Sequence, residues 1–137
     1  MVDCIFCKIV RGEIPCYKVY EDEDFLGFLD LRPLTMGNSL IIPKKHYSWT
    51  IDVDDFGKYF KAAKSVGIAT KRAFKAEWIC FLTLGLEIPH AHIRVIPRYS
   101  NDLHNELVDL GKYEEFSQIE MEKIASQIRV ELKEESA

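Results

Sequence analysis

The sequence predicts an α+β fold: a mostly antiparallel sheet of about five strands, one long central helix and a second helix at the C-terminus. Three observations carry this. Short apolar runs separated by turn formers fill the chain before residue 50. Apolar residues then recur at helical spacing from Phe56 to Phe74. Two more strand-like runs follow, and a second amphipathic stretch begins near Phe116.

Taken in order, residues 4–12 (CIFCKIVRG) read as one turn of helix or a knuckle, ended by Gly12 and Pro15. Residues 17–20 and 25–29 are apolar runs bridged by Glu21, Asp22, Glu23 and Asp24, which favours a hairpin. Residues 30–38 form a loop rich in turn formers, and residues 39–42 make an apolar strand closed by Pro43. Asp52 or Asp54 caps the long helix, expected over 54–76, whose stripe is Phe56, Tyr59, Phe60, Ala63, Val66, Ala69, Ala73 and Phe74. Gly67 within it either costs stability or permits a close contact. Residues 78–84 are strand-like. A strand is expected between Pro89 and Pro97, with Ala91, Ile93 and Val95 facing the core and His90, His92 and Arg94 sharing the other face. A polar connection, 99–112, leads to the last helix. Ser117-x-x-Glu120 offers it a capping box, Phe116, Ile119, Ile124, Ile128 and Leu132 give it a stripe, and its end is expected to fray.

With 137 residues, 47% apolar and 29% charged, the chain is expected to form a single soluble domain, residues 1–137. Eighteen basic against twenty-two acidic side chains leave −4. That argues against broad binding to duplex nucleic acid while leaving room for a local phosphate site. No apolar run approaches the ~20 residues of a membrane span. The stretch MVDCIFCKIVRGEIP lacks the apolar core and cleavage site of a signal peptide. A cytoplasmic location, with Cys4, Cys7, Cys16 and Cys80 reduced, is therefore expected.

Three groups of residues suggest chemistry. Cys4-x-x-Cys7 places two thiols on one knuckle, and two distant imidazoles such as His46 and His90 could complete a tetrahedral zinc site, although spacing alone does not fix which histidines join. The competing reading is two small buried apolar residues. His92 is an imidazole suited to nucleophilic or proton-transfer work, and Arg94 is a cation suited to phosphate oxygens. Both serve equally well as polar residues of a half-exposed strand. Asp30 follows the apolar Phe28 and Leu29, as a carboxylate gripping a ribose would, although most loop aspartates are turn residues.

The segments CIFCKIVRGEIP, VYEDEDFLGFLDLRP and GNSLIIPKKH, followed by PHAHIRVIPR, resemble the histidine triad (HIT) family over residues 3–98. Residues 99–137 then form a C-terminal helical extension. The resemblance implies a HIT-like fold and a homodimer that binds nucleotides and hydrolyses or transfers nucleotidyl groups. It implies that His92 attacks the α-phosphorus and forms a nucleotidyl-histidine intermediate. It also implies structural zinc on Cys4, Cys7, His46 and His90, and a ribose held by Asp30. Phe6, Ile9, Phe28 and Leu31 are expected around the base, with Glu87 added to the nucleotide-binding residues. Departures are visible: the third triad histidine is Arg94, Gly37 is followed by Asn38, and Leu86 stands where a polar amide is usual. Arg94 stays protonated near neutral pH, so it suits phosphate leaving groups better than amines that need a proton. Three readings follow. The first is an enzyme acting through His92. The second is a non-catalytic nucleotide- or partner-binding module. The third is a metalloenzyme with a catalytic ion on His90 and His92.

Overall fold

The computed structural model describes residues 4–136, with side chains through residue 134. The first three residues of the N-terminal stretch and residue 137 lie outside the described residues, as do the side chains at the helix end expected to fray. Helix α1 (Ile5–Val10) is both helix and knuckle: Cys4 caps it, its sulfur accepting from the Cys7 amide. Gly12 ends it at φ 77°, in the left-handed region that favours glycine.

Strands β1 (Lys18–Glu21) and β2 (Phe25–Leu29) form the expected hairpin. Its turn is fixed by the Asp22 carboxylate, which accepts from the amides of Asp24 and Phe25 at 2.8 Å each. Strand β3 (Ser39–Pro43) pairs with β2, and β4 (Trp78–Leu82) pairs with β5 (Ile93–Arg98). All pairings are antiparallel, and the spatial order is β1-β2-β3-β5-β4. Alternation along the strands gives the sheet two apolar faces. Phe25, Leu29, Ile41, Ile93 and Val95 meet the two long helices, whereas Leu26, Phe28, Leu40 and Ile42 pack against α1.

Strand β5 differs from expectation at both ends. It starts at Ile93, so His90, Ala91 and His92 precede it in an irregular segment. It also runs through Pro97, paired with Ile79, instead of stopping there. The Pro97 carbonyl accepts from Thr35 Oγ1 at 2.5 Å, so its missing N–H faces the same side, past Ser39 where β3 has ended opposite Val95. No ladder bond is lost.

Helix α2 (Phe56–Phe74) is capped by Asp55, whose side chain accepts from the Lys58 amide, rather than by Asp52 or Asp54. Asp52 is held in a short turn of 3-10 helix, and Asp54 accepts from Tyr47 Oη. Tyr59, Ala63, Val66 and Ala69 are buried, while Phe56 stays exposed. At Gly67 a Cβ would lie 3.1 Å from Ile79 Cγ2, which supports the close-contact reading. Helix α3 (Gln118–Ser136) carries the expected capping box: Glu120 N donates to Ser117 Oγ and Ser117 N donates to the Glu120 carboxylate. Its buried stripe is Met121, Ile124, Ala125 and Ile128, with Ile119 83% exposed. Ile119 sits five positions before Ile124, a spacing that turns it off the buried face. Among the described residues no helix is long and apolar enough to cross a membrane.

Between β5 and α3 the chain is irregular and organised by Asp102. Its carboxylate takes the Arg98 guanidinium at 2.8 Å and the amides of Tyr99 and His104 at 2.9 and 3.0 Å. Burial pushes this carboxyl up, but Arg98 and the two amides outweigh it and hold it at about 2, below the ordinary 3.8. A carboxyl depressed in the folded state stabilises above its ordinary value, and that contribution is lost as the pH falls through about 2. Asp102→Asn should lower the melting temperature near neutral pH, with the difference from the parent protein narrowing between pH 4 and pH 2. Thermal unfolding across that range checks it; a difference that persists unchanged at the acid end would rule out charge as its source.

Candidate functional site

The irregular segment before β5 is pinned by Ala91 N, which donates to the Tyr47 carbonyl at 2.7 Å, and Ala91 itself is buried in the helix-side core. That anchor turns the two histidines onto the opposite side, where both are buried: His90 fully and His92 with 5% exposure. Phe6 from α1 meets both edge-on, with ring centroids 5.8 Å from His90 and 5.5 Å from His92.

Cys4, Cys7, His46 and His90 converge, their candidate ligand atoms all within 4.8 Å of one another. His90 Nδ1 lies 3.3 Å from Cys4 Sγ, 3.5 Å from Cys7 Sγ and 3.1 Å from His46 Nδ1; Cys7 Sγ is 3.3 Å from His46 Nδ1. Donors at 2.0–2.3 Å around a tetrahedral zinc stand roughly 3.3–3.8 Å apart, so this cluster has close to the size of a zinc site. The tautomer agrees: His90 Nε2–H donates to the Pro43 carbonyl at 2.9 Å, leaving the Nδ1 lone pair turned to the cysteines. Burial lowers the His90 pKa and keeps the ring neutral, the form a metal binds. His46 Nε2 is buried without a partner among the described residues. The Cys2His2 set thus fits zinc, and it draws His90 into the cysteine cluster, away from an ion shared with His92.

His92 stands differently. Its Nδ1–H donates to the His90 carbonyl at 2.8 Å, which leaves the lone pair on Nε2. Its own carbonyl accepts from Thr83 Oγ1 at 3.0 Å. Burial lowers the His92 pKa, and Arg94 lowers it further against the opposing pull of the His90 carbonyl and Asp30. The ring is therefore neutral at neutral pH.

Arg94 and Asp30 meet directly, Nη1 to Oδ2 at 3.8 Å, with both side chains less than one-fifth exposed. The other oxygen, Asp30 Oδ1, accepts from the Arg32 amide at 3.0 Å. Burial pushes the Asp30 carboxyl up, opposed by that amide and by Arg94. Arg94 Nε is buried without a partner among the described residues. Phe6 and Phe28 contact each other edge-on at 5.7 Å, and Ile9 packs against the same cluster. Leu31, 72% exposed, and Glu87, also exposed, are not part of this buried cluster. The structure brings together Phe6, Phe28, Asp30, His90, His92 and Arg94, and leaves Leu31 and Glu87 outside that group.

The HIT domain profile matches residues 11–101. The chain belongs to the HIT family. A HIT-like protein of Borreliella burgdorferi is 43% identical over 74% of this chain and 80% of its own. An Arabidopsis thaliana relative named adenylylsulfatase HINT3 is 40% identical over 73% of this chain and 54% of its own. Among solved structures, a histidine triad nucleotide-binding protein of Sulfolobus tokodaii superposes with a TM-score of 0.82 at 30% identity, covering 96% and 93% of the two chains. A zinc-bound HIT protein of Mycobacterium smegmatis superposes at 0.74 with 28% identity, covering 98% and 96%. The five-stranded antiparallel sheet with its long helix and C-terminal helix is thus the HIT fold.

Sequence reasoning missed three partners of this site. Asn38 stood only as a departure from the HIT pattern. Here its side chain is fully buried, accepting from Leu34 N at 3.0 Å and donating to Val95 O at 3.1 Å, so it ties the Asp30 loop to β5. Thr83 reaches the His92 carbonyl from nine residues away and Tyr113 reaches Arg32 from eighty-one, and no local pattern signals either contact.

Burial, followed by the neighbouring Cys4, raises the Cys7 thiol, so Cys7 holds its proton at neutral pH until a cation displaces it. Purified protein should carry about one zinc per chain. Cys7→Ser should lose it and unfold more readily by several kcal/mol, because a closed zinc site contributes directly to folding. Elemental analysis and chemical denaturation check both, and undiminished stability in metal-free Cys7→Ser protein would refute the site.

Proposed function

We propose that this HIT protein is a nucleotidyl hydrolase or transferase in which His92 attacks the α-phosphorus of a nucleotide conjugate or dinucleotide. The observation that carries the reading is the His92 ring: Nδ1–H is committed to the His90 carbonyl and burial keeps the ring neutral. Nε2 therefore offers a lone pair at neutral pH without the help of a separate base. In the first step an Nε2–P bond forms as the bond from phosphorus to the leaving group breaks, and the leaving group departs with the electron pair. In the second, water attacks phosphorus, the P–N bond breaks, the nucleotide is released with its proton passed to solvent, and His92 returns neutral.

Asp30 holds the ribose hydroxyls. Phe6, Ile9, Phe28 and the exposed Leu31 flank the base, and Glu87 borders the approach. Zinc on Cys4, Cys7, His46 and His90 is structural: four protein ligands leave no position open for substrate. Arg94 has no proton to give near neutrality, but it supplies fixed positive charge next to the reacting phosphate. Leaving groups that are already weak bases, such as phosphates, suit it. The name of the Arabidopsis relative fits, since sulfate departing from an adenylyl sulfate needs no proton. A non-catalytic nucleotide-binding module is the second reading. It is favoured by the engagement of Arg94 with Asp30 and by the exposure of Leu86 in the loop before the histidines. A cytoplasmic location accords with the reduced cysteine pair.

A second copy of the chain is expected across β4. This strand ends the sheet, its outer edge has no partner among the described residues, and Trp78 and Phe81 on it are 59% and 46% exposed. Light scattering at micromolar concentration should give the mass of a dimer, and a monomeric mass would contradict it.

His92→Ala should abolish turnover while leaving nucleotide affinity nearly unchanged. Mass spectrometry of the unmutated protein mixed with substrate should show a nucleotidyl adduct on His92. Arg94→His restores a titratable donor, and should raise activity on nucleoside phosphoramidates relative to dinucleoside polyphosphates by about 10²- to 10⁴-fold. An active His92→Ala protein would require another nucleophile. Nucleotide binding without turnover of any conjugate would select the binding-module reading.

A further inference from the structure

The ribose-side carboxylate stands at one end of a loop, residues 30–38, that its own end-to-end bond closes: Asp30 N donates to the Asn38 carbonyl at 3.0 Å. The rest of this loop is held from outside, almost residue by residue, by the chain that follows β5. Tyr99 Oη donates to Met36 O at 2.7 Å. His104 Nε2–H donates to Leu34 O at 2.9 Å, while its Nδ1 accepts from the Asp109 amide, so both ring nitrogens are used. Glu114 N donates to Pro33 O at 2.8 Å. The Arg32 guanidinium lies 4.7 Å over the Tyr113 ring. That last contact bears directly on the carboxylate, because the backbone N–H of the same Arg32 donates to Asp30 Oδ1. His104, Tyr113 and Glu114 all lie beyond the HIT profile match, which ends at residue 101.

We infer that the segment after β5 is a strap that positions Asp30 for the ribose, with Tyr113 and His104 as its positioning residues. The inference rests on the reading of Asp30 as the ribose grip. The physical line is short. The Tyr113 ring orients the Arg32 side chain, this fixes the Arg32 backbone, and the Arg32 amide hydrogen-bonds one carboxylate oxygen while the Arg94 guanidinium faces the other across 3.8 Å. His104 holds the next turn of the loop through Leu34. Arg32 Nη2 also donates to the Tyr113 hydroxyl, but at 3.5 Å between exposed groups this bond is long and weak, so the ring face is the main part of the hold. A carboxylate hydrogen-bonded at one oxygen and paired in charge at the other is oriented as a whole, and its remaining lone pairs are left for two vicinal hydroxyls.

The test compares AMP with 2′,3′-dideoxy-AMP, binding each to the full-length dimer-competent protein by calorimetry. The unmutated protein should prefer AMP. Tyr113→Leu should weaken AMP by about two- to five-fold, the size of one exposed cation–ring contact, and leave the dideoxy nucleotide unmoved. Tyr113→Phe should keep the preference. His104→Ala should reduce it in the same selective manner, and His104→Gln, which retains a donor for Leu34, should recover part of it. In turnover the loss should fall on KM with kcat preserved. A Tyr113→Leu protein with its preference intact would overturn the inference. So would equal losses for both nucleotides, since a generally loosened structure weakens ribose and dideoxyribose ligands alike. Failure of the underlying reading looks different: an unmutated protein that does not distinguish the two nucleotides removes the ribose role of Asp30 itself.

Discussion

The short ladder between β3 and β5 is the joint on which the site depends. Only three residue pairs make it, Ser39 with Val95, Leu40 with Arg94 and Ile41 with Ile93. Yet it joins two stretches of chain more than fifty residues apart, and the histidines of the site, with Asp30 and Arg94, hang from one or the other. From β3 come Asp30 on the loop entering it, Pro43 at its end and His46 on the segment leaving it. From β5 come Arg94 within it and His90 and His92 just before it. A slip of one residue would turn Arg94 to the helix side and bring Ile93 to the site. The register is protected by the burial of Ile41, Ile93 and Val95, each with no exposed surface, and by Asn38, which ties Val95 from the end of the ladder.

That joint explains what was legible in the sequence and what was not. Strand alternation placed Ala91, Ile93 and Val95 opposite His90, His92 and Arg94 correctly, although β5 starts only at Ile93. The alternation survives outside the ladder because the bond from the Ala91 amide to the Tyr47 carbonyl holds Ala91 on the core side. The helix stripes were legible for the same reason of period. Ile119 broke the pattern because an apolar type says nothing about which side of the helix it occupies. The cap of α2 was missed by one residue: three aspartates, Asp52, Asp54 and Asp55, stand within four positions, and only the local turn chooses among them. The clustering of Cys4 and Cys7 with His46 and His90 came from resemblance and not from spacing, since no local rule chooses two histidines out of four. The strap was illegible. Residues 99–116 have no period, and their bonds go mainly to backbone carbonyls, which every residue has.

The replacement of a triad histidine by Arg94 has an electrostatic counterpart in Asp30. An unpaired guanidinium so little exposed to water would carry a heavy desolvation cost, and an unpaired carboxylate next to apolar Phe28 and Leu29 would do the same. At 3.8 Å each offsets part of the cost of the other. The proposed ribose side and the proposed phosphate side of the site are thereby electrostatically coupled. A change at either residue is felt by its partner as a change in charge as well as shape.

Helix α1 and its N-cap carry both cysteines of the Cys2His2 cluster and the aromatic wall of the proposed base side, within six residues: Cys7 lies next to Phe6, and Ile9 is two further on. One small body thus has two obligations to satisfy. In a lineage that lost the cysteines, the wall would have to be held by packing alone, and compensating changes would be expected in Leu26, Leu40 and Ile42, the residues beneath it. A lineage that reshaped the wall for another base would be constrained in the other direction, free to vary side chains on α1 but not its length. Insertions are therefore more readily accommodated after Gly12 than before it, and diversification of ligand preference in chains of this kind should be written in substitutions at the knuckle rather than in its size.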